Sequence, residues 1–362
     1  MTTLQRFVPG LALAASTVLL STPALAADAT TASTTPTYYI SLGDSLASGY
    51  QPDVDKDTRL AYTDQLYAQL KKHDPGLKHI RLGCSGETTQ SLIKGGVCHY
   101  PNGKSQLDAA LKALAQHPGK VAYVTLSVGA NDIQSCVSAL GTLDGVCLNK
   151  TTKTMGRNLA QITGALHKAG TKNTQFVGST YYNPFLAAWL LGAQGQKAAK
   201  ASAPLVKAGN AGIAQVYKST GFKVADVAGA FSSDSFTPLV NTPGAGKVPE
   251  NVAKICQLTW ACTPKTDPHP NAAGHKVIAG AFAAQLVHRP AAVQGGAAGA
   301  SGSPEPVPVN HVAAQGSAAH TELADTGTPS DAPVVAGAGL AVVAAGSAGV
   351  WFARRRRTAT QG

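Results

Sequence analysis

The sequence predicts an α/β fold with a mostly parallel central sheet and helices on both of its faces. Two observations carry this. Short apolar runs bounded by Gly, Asp, Ser or Asn recur through the chain, and segments with helical spacing of apolar residues lie between them. Strands alternating with helices require crossover connections, which generate parallel pairing and cover both faces. The expected strands are Tyr38–Leu42, Ile80–Leu82, Val121–Val128, Thr174–Thr180 and Lys223–Val227. Tyr38–Leu42 and Val121–Val128 are the fullest apolar runs, and all five are read as buried strands. The expected helices are Tyr62–Lys72, Ser105–His117, Thr151–Ala169, Ala203–Ser219 and Asn271–Val287. In the last, Val277, Ile278, Ala281, Phe282 and Leu286 recur on one face.

These elements occupy one domain over residues 37–290, and the flanks carry different signals. Residues 1–26 hold Arg6, an apolar stretch from Val8 to Leu20, and Ala24-Leu25-Ala26, so an export signal cleaved after Ala26 is expected. Ser16, Ser21, Thr22 and Pro23 interrupt the stretch before it is long enough to span a bilayer. Residues 291–322 are rich in Pro, Gly and Ala and read as an extended spacer. Residues 323–362 place Leu323-Ala324-Asp325-Thr326-Gly327 ahead of an apolar segment over 332–353 and the run Arg354–Arg357. This order resembles a Gram-positive cell-wall sorting signal of the Leu-Ala-x-Thr-Gly type. The resemblance implies a sortase cutting between Thr326 and Gly327 and joining Thr326 to peptidoglycan, with the membrane serving only to anchor the precursor. An ordinary C-terminal membrane anchor is the competing reading.

The formal net charge of +11 does not call for nucleic acid. Residues 27–290 hold 25 basic and 15 acidic residues, with the lysines scattered mostly singly and no aromatic interleaving, which describes a solvated basic surface. After export and sorting, residues 27–326 would carry +7, enough for weak attraction to anionic wall polymers. Export also places the six cysteines in an oxidising compartment. Fifteen pairings are possible, and closure of short loops points to Cys84–Cys98, Cys136–Cys147 and Cys256–Cys262. Zinc is the alternative, against which stands the lack of a tight C-x-x-C spacing.

In a parallel sheet ligands sit beyond the carboxyl ends of the strands. There the chain places Gly43-Asp44-Ser45-Leu46, then Gly83-Cys84-Ser85-Gly86, then Gly129-Ala130-Asn131-Asp132, with Asp267-Pro268-His269-Pro270 ahead of the last helix. A serine hydroxyl needs a base to become nucleophilic, and a tetrahedral oxyanion needs preorganised donors. These four blocks, in this order over some 230 residues, resemble those of the SGNH or GDSL hydrolases. The resemblance implies a flavodoxin-like three-layer fold and a secreted esterase or lipase that works through an acyl-enzyme, as a monomer and without cofactor or metal. Ser45 would be the nucleophile and His269 the general base. The backbone amides of Ser45 and Gly86 and the side chain of Asn131 would hold the oxyanion. The three expected disulfides match secreted actinobacterial members.

One position departs from the family pattern. Its carboxylate usually lies three residues before the histidine, where this chain has Thr266; Asp267 lies two before. Either Asp267 or a backbone carbonyl near Thr266 is expected to orient His269. Asp44 is expected to cap the following turn, Asp132 to bond the loops beside Asn131, and His275 to have a packing or surface role. Tyr50, Tyr181, Tyr182, Phe185, Trp189 and Trp260 are candidates for lining an acyl or aryl pocket, and Ala187–Ala203 for a flap. The substrate would be a small-molecule or lipid ester. A carbohydrate or peptidoglycan O-acetyl esterase and a non-catalytic, wall-displayed binding domain are the alternatives.

Overall fold

The computed structural model describes residues 37–137 and 144–287. The expected export signal (1–26), spacer (291–322), sorting motif (323–327) and apolar segment (332–353) all lie outside these residues. In chain order the elements begin with β1 (Tyr38–Gly43), α1 (Ser45–Ser48), β2 (Tyr50–Gln51), β3 (Lys56–Asp57), α2 (Tyr62–Lys71), β4 (Lys78–Arg81), α3 (Thr89–Lys94) and α4 (Gln106–Gln116). They continue with β5 (Val121–Ser127), α5 (Ala130–Gln134), α6 (Gly145–Ala169), β6 (Gln175–Ser179), a 3-10 helix (Pro184–Leu191) and α7 (Gly192–Ser219). The last are β7 (Lys223–Ala225), α8 (Val227–Ala230), β8 (Leu239–Thr242), β9 (Gly246–Pro249), α9 (Glu250–Leu258) and α10 (Ala272–Ala283).

The central sheet has the order β4-β1-β5-β6-β7, and all its pairings are parallel. This is the flavodoxin-like order. Its topological switch point, the crevice where such folds bind ligands, lies between β1 and β5. Period-2 alternation divides the strand residues between two cores. Tyr39 and Tyr123 face Leu66 and Leu70 of α2, Val252 and Ile255 of α9, and Ile278 and Phe282 of α10. Ile40, Leu42, Val124 and Leu126 face Leu107 and Leu114 of α4, Leu159 and Ile162 of α6, and Ile213 and Tyr217 of α7. Burying both faces in this way explains why the strands read as continuous apolar runs.

Several boundaries differ from the sequence expectation. The α6 helix begins at Gly145 rather than Thr151, because the Asp144 side chain accepts from the Val146 and Cys147 amides and caps it. The α7 helix begins at Gly192 rather than Ala203 and runs through Pro204. Its first turns are Gly- and Ala-rich and carry little apolar period. They are nonetheless seated closely on the 3-10 helix, where a Cβ at Gly195 would lie 1.9 Å from the Ala188 carbonyl oxygen. The candidate flap Ala187–Ala203 is therefore helical along its length. The β8–β9 hairpin and α9 were not anticipated. Cys84–Cys98, Cys136–Cys147 and Cys256–Cys262 are bridged, with Cα separations of 6.3, 5.4 and 4.9 Å. Among the described residues no helix is long and apolar enough to cross a membrane.

Candidate active site

The β1 strand ends at Gly43, whose φ of +138° is open only to glycine and where a Cβ would lie 2.1 Å from the Ser127 carbonyl oxygen. The chain thus crosses directly against the end of β5 before turning into α1. Both backbone groups of Gly43 are held by one side chain. Its N–H donates to Gln106 Oε1 at 2.6 Å, and its carbonyl accepts from Gln106 Nε2 at 3.0 Å. Gln106, at the start of α4, has no signature that sequence reading alone can find. Asp44 caps α1 by accepting from the Leu46 amide at 3.0 Å, the structural role expected of it, and it also accepts from the Tyr181 hydroxyl at 2.8 Å. Asp44 is wholly buried, and burial pushes its carboxyl up to about 6.

Ser45 is the first residue of α1. His269 Nε2 lies 2.8 Å from Ser45 Oγ, and His269 Nδ1 lies 2.7 Å from Asp267 Oδ1. A carboxylate oxygen only accepts, so Nδ1 carries the ring proton and Nε2 presents its lone pair to the serine hydroxyl. Asp267 Oδ1 also accepts from the His269 backbone N–H at 2.8 Å. All three side chains are buried. The loop carrying them is fixed from three directions. Tyr182 Oη donates to the Pro268 carbonyl at 2.6 Å, Gln51 Nε2 to the Pro270 carbonyl at 2.9 Å, and the Trp260 amide to the His269 carbonyl at 3.0 Å. The Tyr50 ring sits 4.8 Å from the His269 ring, centroid to centroid, and the Trp260 indole donates to Gln51 Oε1.

The loop after β4 lies on α1: a Cβ at Gly83 would be 2.8 Å from the Ala47 carbonyl carbon and the Ser48 amide nitrogen. Gly86 adopts φ +88°. Cys84 is bridged to Cys98, and Ser85 Oγ bonds both Asp57 and, at 3.0 Å, Ser48 Oγ on α1. The next residue, Glu87, is buried and accepts from Ser91 and Tyr100; burial raises its carboxyl above the usual range. Its carbonyl accepts from Asn131 Nδ2 at 2.9 Å, which ties the end of β5 to this loop. Asp132 accepts from the amide and hydroxyl of Thr89 at 2.8 and 2.6 Å, the loop-bonding role expected of it. Among the described residues the backbone N–H groups of Ser45 and Gly86 have no hydrogen-bond acceptor.

His275 does not join this group. It is buried in α10, where its Nδ1 accepts from the Tyr62 amide at 3.1 Å, and burial depresses its imidazole to about 3. Of the candidate aromatic residues, Tyr50, Tyr181, Tyr182 and Trp260 support the Ser45 and His269 loops, while Trp189 stands beside Phe236. Among the described residues no group of three or more His, Cys, Asp or Glu side chains is placed to hold a metal ion.

The solved structures that align with this chain include three matched over most of their own length. An α/β hydrolase from a Lake Arreo metagenome shares 18% identity over 69% of this chain and 94% of that one, with a TM-score of 0.38. A variant of an acetyl xylan esterase from Geobacillus stearothermophilus shares 16% identity over 69% and 94%, with a TM-score of 0.42. A member of the lipolytic G-D-S-L family from Veillonella parvula shares 13% identity over 68% and 97%, with a TM-score of 0.36. No curated protein matches. The GDSL-like lipase/acylhydrolase family matches residues 41–277, from the middle of β1 into α10, so the match encloses all four blocks gathered at the switch point. Over these residues, which are more than half its length, the chain belongs to the GDSL-like lipase/acylhydrolase family.

Proposed function

We propose that this chain hydrolyses carboxylic esters with Ser45 as nucleophile, and the observation that carries this is the continuous Ser45–His269–Asp267 hydrogen-bond chain. Ser45 Oγ attacks the carbonyl carbon as its proton passes to His269 Nε2. The imidazolium that forms is faced by Asp267, and the oxyanion is received by the free N–H groups of Ser45 and Gly86. Asn131 Nδ2 has two hydrogens; one is held by the Glu87 carbonyl, which orients the amide and leaves the second for the oxyanion. His269 then gives its proton to the leaving alcohol as the ester C–O bond breaks. Water attacks the acyl-Ser45 carbonyl by the same route in reverse and regenerates the hydroxyl.

A Ser45→Ala protein should lose p-nitrophenyl acetate hydrolysis, and a fluorophosphonate probe should label wild type at Ser45 alone. Retained hydrolysis in Ser45→Ala, or labelling elsewhere in the active protein, sinks the assignment. Rates across ester chain lengths, compared with acetate release from acetylated glycans, define the substrate class.

The same reading places the enzyme outside the cell and on the wall. It is supported by the order of the export segment (1–26), spacer, Leu323–Gly327 motif, apolar segment and arginine tail. Mass spectrometry of wall-released protein should find a mature form beginning at Ala27 and ending at Thr326; a chain that retains residues 332–353 and leaves with detergent alone refutes sorting.

A further inference from the structure

The 3-10 helix Pro184–Leu191 has no polar side chain. It begins two residues beyond Tyr182, which holds the His269 loop, and it ends with Leu190 and Leu191 exposed at 39% and 51%. Trp189 connects this segment to its neighbours. Its ring centroid lies 6.0 Å from that of Phe236, and Lys200 Nζ of α7 sits 5.5 Å above it. Three residues beyond Phe236, at the start of β8, Leu239 is exposed at 51%.

Single exposed leucines are ordinary, but an apolar helix end and a hairpin leucine joined through a Trp–Phe contact form a patch. The charge around it is mainly of one sign, with Asp234 and Glu250 at its borders. From Pro184 to Ser219 and from Ser235 to Pro249 there is no acidic residue. Lys197 and Lys200 on α7 and Lys247 on the hairpin are exposed, and none of the three takes part in a salt bridge among the described residues. Lys207 is left out of the patch because it pairs with Asp234 at 3.0 Å.

Apolar side chains rimmed by lysines without a carboxylate partner match an anionic lipid surface, where leucines enter the acyl boundary and ammonium groups meet headgroup phosphates. We propose that this face, formed by the 3-10 helix, the first turns of α7 and the β8–β9 hairpin, docks on anionic lipid bilayers. Docking there would set the loop of His269 beside the bilayer.

The chain has no free cysteine among the described residues, so a cysteine introduced at the patch offers one thiol for an environment-sensitive fluorophore. Full-length Leu191→Cys and Leu239→Cys proteins carry the label in turn. Lys153→Cys, exposed on α6 and so on the opposite face of the sheet, is the control. With vesicles of phosphatidylglycerol and phosphatidylcholine, both patch labels should shift to the blue and brighten several-fold, while the control label stays unchanged. Phosphatidylcholine vesicles alone should give no such response, which separates docking from any anchoring by the apolar C-terminal segment. Each Lys→Gln substitution at 197, 200 or 247 should raise the vesicle concentration needed for half-response about fivefold. Either patch label staying water-like on anionic vesicles, or the Lys153 label responding equally, overturns the proposal. Hydrolysis of a soluble acetate ester by the same samples tests the ester-hydrolase reading separately.

Discussion

Asp267→Asn isolates the charge that faces His269, because an asparagine carbonyl oxygen can take the place of Oδ1 and still accept from both His269 N–H groups. What the substitution removes is the attraction between a carboxylate and the imidazolium formed as Ser45 attacks. For charges about 4 Å apart at an effective dielectric near 20, that attraction is about 4 kcal/mol, or roughly a thousandfold in rate. If the amide turns its NH2 toward Nδ1 instead, the ring proton moves to Nε2 and the base is lost, as in serine proteases where the same exchange costs about 10⁴. The expected loss in kcat on p-nitrophenyl acetate is therefore about 10³ to 10⁴, with KM little changed. Thermal unfolding within a few degrees of wild type would show that the loop is intact. A kcat within tenfold of wild type refutes the reasoning and assigns the orienting role to a carbonyl near Thr266.

Asn131→Ala should lower kcat by about 10² to 10³, the loss expected for one oxyanion donor, with KM nearly unchanged; a pure KM effect would instead place Asn131 in ground-state binding. Gln106→Leu keeps the side-chain volume but strands the N–H of Gly43, whose carbonyl still accepts from the Cys84 amide at 3.0 Å. It should cost about 1–3 kcal/mol for the buried N–H left unpaired, read from urea unfolding, and a loss well below 1 kcal/mol would mean that the turn relaxes. The Asp44 carboxyl is raised to about 6, so the folded state keeps a proton that the unfolded chain releases near pH 4. The stability this group provides is full below pH 4 and is lost as pH rises through 6. Relative to wild type, Asp44→Asn should gain up to about 3 kcal/mol between pH 4 and pH 7; a pH-independent difference would show that Asp44 is ionised throughout.

The five strands of the sheet were legible to within two residues at each end; the central β1 and β5 are buried nearly throughout and leave a local mark, a nearly unbroken apolar run. Ser45, Gly86 and Asn131 could be placed because they follow strands whose carboxyl ends share one rim, whereas Asp267 and His269 lie in the loop before α10 and were legible through the likeness of their block to the family pattern. Long-range support left no such mark. Gln106 meets Gly43 across 63 positions, and Tyr181 meets Asp44 across 137, yet each reads in sequence as an ordinary polar or aromatic residue. The α9 helix and the start of α7 were missed for a different reason. Nine residues give about two and a half turns of period, and Gly192–Ser202 offers mainly small residues seated closely on the 3-10 helix.

The shortened spacing at the histidine also has a local explanation. Asp267 Oδ1 accepts from the amide two residues on, which is an Asx-turn, and Pro268 between them presets the φ such a turn needs. The turn curls the chain until the same oxygen is 2.7 Å from Nδ1, so one atom holds both the backbone and the ring of His269. The residue before it absorbs the bend: Thr266 has φ +45°, a left-handed conformation uncommon for a β-branched residue, and its amide donates to the Thr263 carbonyl at 2.9 Å. In Asp267-Pro268-His269 the carboxylate meets the ring through turn geometry, so Pro268 shapes that contact together with Asp267.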